Sequence, residues 1–152
     1  MSPRGEELPR QVAAVCYRET PGGPEFLLVR TFDGKWTFPK GQIDRGMSER
    51  EAAEAEAFEE AGATGPIERE AFASYIYVKG NAGNPEPYEV EVHAYLMAVR
   101  KTYLPKETFR EPQWFRPAPA KEALAEGRIG KYAREFTRII DQAVQRLSDK
   151  GT

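Results

Sequence analysis

Apolar and polar positions alternate in short runs along much of the chain, which is the pattern of half-buried strands. Two of these runs are joined by the Pro/Gly-rich segment TPGGP, a combination that predicts a hairpin. Two longer runs lie on either side of NAGNPEP, which is typical of a flexible loop. The predicted strand segments are QVAAVCYRE (11–19), EFLLVRT (25–31), AFASYIYVKG (71–80), YEVEVHAYLMAV (88–99) and PQWFRP (112–117). DGKWTFPKG (33–41) is predicted to form a turn, a brief strand and a loop.

Three further segments have the spacing of helices. The first begins after Ser48, with Glu51 three residues later to complete a capping box, and ends at Gly62. The other two span 117–126 and 131–147. The last of them carries an apolar stripe expected to pack on the core: Tyr132, Phe136, Ile139, Ile140, Ala143, Val144 and Leu147. The order β-β-β-α-β-β-β-α-α predicts an α+β fold with a mostly antiparallel or mixed sheet.

Composition limits the classes of function that this fold can serve. The chain has 152 residues, enough for one compact domain, which we place at 10–148 behind a flexible tail at 1–9. A net charge of −2 gives no general basic surface for a nucleic acid polymer, but it allows a local basic pocket for a phosphorylated small molecule. The single Cys16 is expected to be a buried thiol. No segment has the length and apolarity of a membrane span, so we expect a cytoplasmic protein, for which a homodimer is allowed.

The first predicted helix carries an unusual charge pattern. From Glu51 to Gly62 it has glutamates at 51, 54, 56, 59 and 60, and no Lys or Arg lies in that span. Glu56, Glu59 and Glu60 share one side of the helix, where two carboxylates about 6 Å apart repel each other by about 2–3 kcal/mol. The negative end of the helix dipole lies at the same end of the helix and adds to the cost.

Two interpretations of this charge stay open from the residues alone. The carboxylates form a solvated face or pair with basic residues from elsewhere, such as Arg30 or Lys79. Alternatively they bind a hard divalent cation, because Mg²⁺ and Mn²⁺ prefer oxygen ligands. Other chemistries are excluded: His93 is the only histidine, so a histidine-type zinc site and a Ser-His-Asp triad cannot form, and P-loop and Rossmann motifs are absent.

The region from Gly41 to Ala63 resembles the signature of the Nudix hydrolases. Residues that fall at the spacing of this signature are Gly41, Glu56, Ala57, Glu59, Glu60, Gly62 and Ala63. Two positions depart, because Met47 replaces the first glutamate and Ala55 replaces the arginine. WTFPKG, YIYVKG and REPQWF are also similar to segments of the branches that hydrolyse diphosphoinositol polyphosphates or dinucleoside polyphosphates. The resemblance extends from about Gln11 to Leu124.

The resemblance implies an α/β/α sandwich with a mixed sheet and a hydrolase that cleaves phosphoanhydrides by water attack at phosphorus. The implied substrate is a nucleoside diphosphate linked to another group, a dinucleoside polyphosphate or a diphosphoinositol polyphosphate, and the implied cofactor is Mg²⁺ or Mn²⁺. The implied metal ligands are Glu56, Glu59, Glu60 and the backbone carbonyl of Lys40, with Glu59 and Glu60 as the catalytic residues. A further glutamate from a late loop, Glu107 or Glu111, is the remaining candidate.

A polyanionic substrate also requires cations from the protein. The candidates are Arg30, Lys35, Lys40 and Lys79, each with the alternative of a solvated surface charge. Trp36 and Tyr77 either stack on a base or pack in the core, and His93 is expected to be an ordinary strand residue. Because Met47 and Ala55 depart from the signature, a catalytically weak or inactive ligand-binding module is the alternative function.

Overall fold

The computed structural model describes residues 7–80 and 86–151. Within these ranges it contains nine strands, three α-helices and one 3₁₀ turn, Thr108–Arg110. The strands are β1 (Arg10–Thr20), β2 (Gly23–Arg30), β3 (Trp36–Thr37), β4 (Lys40–Gly41), β5 (Ala63–Thr64), β6 (Ala73–Lys79), β7 (Tyr88–Ala98), β8 (Lys101–Thr102) and β9 (Gln113–Phe115). The helices are α1 (Glu49–Ala61), α2 (Pro117–Ala125) and α3 (Gly130–Lys150). Most of the predicted N-terminal tail, 1–6, and most of the predicted flexible loop, 81–85, lie outside the described residues.

Most of the strands form one mixed sheet, in which the central path runs β3-β2-β1-β7-β6. β1 and β2 form the predicted antiparallel hairpin, and β6 pairs antiparallel with β7. β1 and β7 run parallel, with Arg10 opposite Glu91 and Tyr17 opposite Ala98. The short strands β4 and β9 extend the sheet by pairing with β1 and β2. β5 and β8 form a separate two-stranded sheet.

The sheet separates two hydrophobic cores, because successive side chains on a strand point to opposite faces. On β1, Val12 and Ala14 pack on the side of α1, whereas Ala13 and Val15 pack on the side of α2 and α3. The core beneath α2 and α3 is the larger and contains Phe136 of the predicted apolar stripe. The predicted α+β fold, an α/β/α sandwich with a mixed sheet, is therefore confirmed.

Helix α1 begins and ends at the capping residues that the sequence predicts, Ser48 and Gly62. The Ser48 side chain accepts from the backbone N–H of Glu51, and the Glu51 side chain accepts from the N–H of Ser48, which completes the capping box. Gly62 ends the helix in the left-handed conformation with φ 65°. A Cβ at this position would overlap the carbonyl of Tyr103, so the close approach of that segment also requires glycine.

The other predicted elements agree with the structure to within a few residues. The final helix is longer than predicted, Gly130–Lys150 instead of 131–147, and Cys16 is buried as expected. Burial raises the pKa of the Cys16 thiol to about 12, so the group stays protonated at neutral pH. In the described ranges, none of the helices has the length and apolarity needed to cross a bilayer.

Candidate active site

Glu56 and Glu60 lie one turn apart on α1 and face strand β4. Glu60 is buried, with 6% of its surface exposed, and its Oε1 accepts from the backbone N–H of Lys40 at 3.2 Å. Glu56 is partly buried against Gly41, where a Cβ would overlap its carboxylate. The segment Lys40–Gly41 therefore packs directly on both carboxylates, and its backbone stabilises one of them.

Three other glutamates of α1, Glu51, Glu54 and Glu59, are exposed. Glu51 serves the capping box and Glu54 faces solvent, as expected. Glu59, three residues after Glu56, is exposed beside the buried pair. Of the five glutamates from Glu51 onward, the structure therefore brings Glu56 and Glu60 together and leaves Glu59 next to them on the solvent side.

The two facing carboxylates resist ionisation. Burial, followed by the negative charges of Glu60 and Glu59, raises the pKa of Glu56 to about 8. Burial also raises the pKa of Glu60, although the positive charge of Arg110, the Lys40 backbone and the Lys40 side chain oppose it. At both positions, burial outweighs the positive charge nearby, so each carboxylate favours its neutral form more than a solvated one does.

Arg110 is the cation that forms an ion pair with Glu60 among the described residues, and sequence reasoning missed it. Its Nη2 donates to Glu60 Oε2 at 3.1 Å and its Nε donates to Glu107 Oε1 at 2.7 Å. Its Nη1 donates to the backbone carbonyl of Arg30 at 3.0 Å, and 15% of the side chain is exposed. Pairing with a basic residue from elsewhere applies to Glu60, and its partner is Arg110 instead of Arg30 or Lys79. The sequence signal that could have identified Arg110 was its position between two candidate site residues, Glu107 and Glu111.

The same contact distinguishes the two glutamates of the late loop. Glu107 joins Glu60 through Arg110, and its charge contributes to raising the pKa of Glu60. Glu111 points away: its side chain is 70% exposed and lies 3.7 Å from Arg30. Glu107 is therefore the late-loop carboxylate that lies at the cluster.

Lys40 connects the carboxylates to a cavity. Its side chain leaves the backbone that holds Glu60, and its Nζ lies 4.5 Å from the centre of the Tyr77 ring. Burial lowers the pKa of Lys40 to about 8, with the opposing charge of Glu60 holding it up. An amine in this environment gains from an anionic partner, because a second negative charge would offset its lost hydration.

The cavity has a volume of about 370 Å³ and a basic lining. Four of the six predicted substrate residues line it: Lys35, Lys40, Tyr77 and Lys79. Arg128 adds a cation that the sequence did not indicate, and Asp33 is the acidic side chain among the described lining residues. Arg128 lies 3.9 Å above the Phe136 ring and donates to the carbonyl of Leu124, so its guanidinium is held in place.

The other two predicted substrate residues lie outside this cavity. Trp36 is 8% exposed, its face is covered by Arg30 at 3.9 Å, and its edge contacts Phe115. Of the two alternatives for Trp36, the structure therefore shows packing in the core. Arg30 is occupied with Trp36 and Glu111. An exposed aromatic surface occurs instead at Phe32, which is 91% exposed and stacks on Phe109 at 4.4 Å, next to Arg110.

The chemistry of the acidic residues fits a hard divalent cation. The cluster offers only oxygen donors, and its crowded carboxylates have raised pKa values that a cation would relieve. As the side chains stand in residues 7–80 and 86–151, no three carboxylate, imidazole or thiol groups converge on a common point. Glu59 is exposed, so a site built from Glu56, Glu59 and Glu60 requires it to rotate toward the other two.

Known structures resemble this fold at low sequence identity. A C. elegans Ap4A hydrolase, solved as a binary complex, is 23% identical, with a TM-score of 0.62, over 88% of this chain and 98% of that one. The E. coli dihydroneopterin triphosphate pyrophosphohydrolase is 14% identical, with a TM-score of 0.65, over 91% and 96%. The NUDIX domain of Shewanella oneidensis NrtR, complexed with ADP ribose, is 19% identical, with a TM-score of 0.66, over 97% and 94%. A longer NrtR chain, of which 62% is covered, is known in complex with a 27mer DNA.

A family model gives the stronger result, because it matches residues 8–136 with the NUDIX domain. That range includes α1 with Glu56 and Glu60, Arg110 and the described lining of the cavity. The chain therefore belongs to the NUDIX domain family and is a hydrolase that acts on phosphorus-containing anhydrides.

Proposed function

We propose that this protein is a Mg²⁺- or Mn²⁺-dependent pyrophosphohydrolase that cleaves a phosphoanhydride by water attack at phosphorus. The supporting observation is the crowded pair Glu56 and Glu60, which Lys40 connects to a basic cavity. A cluster of carboxylates next to a cluster of cations suits a substrate whose phosphates must bind both a metal ion and the protein.

Glu56, Glu59 and Glu60 are the side chains that would hold the cation, together with the carbonyl of Lys40. When bound, a divalent ion supplies charge neutralisation at phosphorus and lowers the pKa of a coordinated water. Glu60 is fixed by its hydrogen bonds, whereas Glu59 is exposed and meets solvent directly. We therefore assign Glu59 to orient or deprotonate the attacking water and Glu60 to hold the catalytic geometry.

The cavity supports a phosphorylated small molecule as the substrate. Lys35, Lys40 and Lys79 would bind its phosphates, and Tyr77 would form the wall beside Lys40. Arg30 and Trp36 contribute indirectly, because Arg110 donates to the carbonyl of Arg30.

The substrate class is a nucleoside diphosphate derivative, a dinucleoside polyphosphate or a diphosphoinositol polyphosphate. The basic lining suits any of the three, and the exposed ring of Phe32 offers a stacking surface to a nucleobase. The cytoplasmic location, the homodimer, the absence of a nucleic acid polymer partner and the 10–148 domain stay predictions.

A substrate screen tests the proposal. Dinucleoside polyphosphates, nucleotide sugars, nucleoside triphosphates and diphosphoinositols are each incubated with Mg²⁺, with Mn²⁺ and with EDTA, and the phosphorylated products are measured. We expect hydrolysis only with metal, and a loss of about 100-fold or more in kcat for Glu56→Gln and Glu60→Gln. Glu54→Gln is the matched control, because Glu54 is an exposed glutamate on the same helix.

Two results would contradict the proposal. Unchanged hydrolysis by Glu56→Gln or Glu60→Gln at saturating Mg²⁺ would mean that the metal assignment is wrong. Binding of a screened ligand without any hydrolysis would instead support the ligand-binding module, the alternative suggested by Ala55 and Met47.

A further inference from the structure

We propose that Arg110 is a positioning residue for this hydrolysis, which holds Glu60 and Glu107 together at the carboxylate cluster. The inference rests on the proposed function, because it assigns a role at the same site. It concerns a contact between a late loop and α1 that the sequence pattern of the helix does not contain.

The first argument is the geometry of the Arg110 guanidinium. Its three nitrogens donate to three acceptors from separate segments: Glu60 on α1, Glu107 in the loop and the carbonyl of Arg30 at the end of β2. A planar fork can satisfy three fixed acceptors at once, whereas a lysine ammonium is a point charge on a flexible stem. Arg110 therefore fixes the position of the Glu60 carboxylate relative to both the sheet and the loop.

The second argument is charge. No Lys or Arg lies on α1 between Glu51 and Gly62, so this part of the helix supplies no cation of its own to Glu60. Within residues 7–80 and 86–151, Arg110 is the residue whose side chain forms an ion pair with Glu60. A buried carboxylate left without its partner costs several kcal/mol, so this contact decides whether Glu60 keeps its place.

The third argument is that Arg110 pairs with some carboxylates of the cluster and not with others. Arg110 neutralises Glu60 and Glu107, but in the described ranges no ion pair reaches Glu56. Glu60 is thus held by Arg110, whereas Glu56, beside Gly41, has no cation paired with it among the described residues. This division leaves Glu56 available to a cation while Glu60 stays oriented.

A double-mutant cycle without metal tests the contact itself. The melting temperature is measured in EDTA for Arg110→Met, alone and combined with Glu60→Gln or with Glu54→Gln. Arg110→Met should lower the Tm by about 5–15 °C, because it breaks a buried ion pair. The loss should shrink by about half or more in the Glu60→Gln background and stay the same in the Glu54→Gln background. An equal decrease in Tm in both backgrounds would mean that Arg110 and Glu60 do not interact, which would overturn the proposal.

Kinetics separate positioning from mere stabilisation. With diadenosine tetraphosphate, or the screened substrate that the wild type cleaves fastest, Arg110→Met should lower kcat by about 10–100-fold and change KM by less than about threefold. Arg110→Lys should recover part of the loss. Arg138→Met is the control, since Arg138 also donates to a carbonyl, of Ser74, and to a carboxylate, of Glu135, far from the cluster.

The outcomes keep this inference distinct from the proposed function. A lower Tm with unchanged kcat in Arg110→Met, as expected of Arg138→Met, would reduce Arg110 to a structural residue. If Glu60→Gln abolishes hydrolysis while Arg110→Met does not affect it, only the role of Arg110 is wrong. If Glu60→Gln has no effect either, the proposed function itself fails.

Discussion

Gly41 makes room for the carboxylate of Glu56. The backbone of Lys40–Gly41 runs so close to α1 that any side chain at position 41 would occupy the space of the Glu56 carboxylate. The atoms in the way are the far end of a flexible side chain, not backbone, so the fold can adapt by moving that carboxylate. A mutation of Gly41 should therefore move the Glu56 carboxylate while changing the stability of the protein little.

We expect Gly41→Ala to fold and to lose activity. Displacing a catalytic group by about 1 Å can cost about 100-fold in rate, so kcat should fall by about 10-fold or more. The Tm should change by less than about 4 °C, which corresponds to about 1 kcal/mol for a protein of this size. Steady-state kinetics and thermal melts are the measurements.

Gly130→Ala is the matched control for Gly41→Ala, because Gly130 is the first residue of α3 and is exposed. An alanine there should leave kcat unchanged and favour the helix slightly. Wild-type kcat in Gly41→Ala would mean that the position of the Glu56 carboxylate does not matter for hydrolysis.

Single residues also show how far the sequence could lead. The spacing of Glu56, Glu59 and Glu60 identified the acidic cluster, because helical geometry converts spacing along one segment into proximity. Arg110 could not be found in the same way, since its contact with Glu60 joins positions 50 residues apart and depends on the path of a loop. Trp36 was ambiguous for a related reason: only the fold determines which aromatic residues of a strand reach the core.

The beginning of α1 is attached to the sheet by a polar network. One oxygen of Glu49 accepts from Tyr95 and contacts Nδ1 of His93, both on β7, and the other accepts from Arg10 on β1. His93 is thus a strand residue, as expected, but it also contacts the helix that carries the cluster. Burial opposes ionisation of Glu49, yet the hydrogen bonds from His93, Tyr95 and Arg10 together lower its pKa.

This network predicts a pH-dependent contribution to stability. A carboxylate whose pKa is lower in the folded state stabilises the protein above its unfolded pKa, near 4.5, and loses that contribution as the pH falls through the folded pKa. Glu49→Gln should therefore lower the Tm at pH 7, and the difference from wild type should shrink as the pH falls below about 4.5. Thermal melts between pH 3 and 7 measure it.

Glu54→Gln is the control for the pH series, because Glu54 is exposed on the same helix. Its Tm should track the wild type across the range. A constant difference between Glu49→Gln and wild type from pH 3 to pH 7 would show that ionisation of Glu49 does not contribute to the attachment of α1.

The elements were predictable to the extent that their signals are local. Ser48 and Gly62 gave both ends of α1, and TPGGP gave the hairpin of β1 and β2. The parallel pairing of β1 with β7 was not predictable, because it joins Arg10 to Glu91 across most of the chain. The short strands β4, β5 and β8 are two residues each, too short to leave an apolar pattern in the sequence.

At the scale of the whole molecule, anion binding depends more on where the charges lie than on the net charge. The chain has a net charge of −2, yet its cavity is lined by Lys35, Lys40, Lys79 and Arg128, with Asp33 as the acidic member among the described residues. These cations come from distant parts of the chain, so composition alone could allow a basic pocket but could not locate it. This lining attracts an approaching anion, and salt should weaken the attraction.

Binding of inorganic tripolyphosphate in EDTA tests this charge separation. Lys79→Met removes a cation from the cavity, so it should raise the Kd about fivefold at low salt, which corresponds to about 1 kcal/mol. Its Kd should also rise less steeply with NaCl than that of the wild type, because one screened attraction is missing. Titration calorimetry over a series of NaCl concentrations gives both quantities.

Lys121→Met is the comparison that makes the result specific to the cavity. Lys121 is also a partly exposed lysine, but it pairs with Asp141 between α2 and α3. Both variants change the net charge from −2 to −3, so the overall repulsion of an anion is the same for each. Indistinguishable Kd values would mean that only net charge matters, and the cavity would lose its place as the phosphate site. A weaker affinity in Lys79→Met alone would instead support phosphate binding in the cavity that Lys79 lines together with Lys40, whose backbone N–H donates to Glu60.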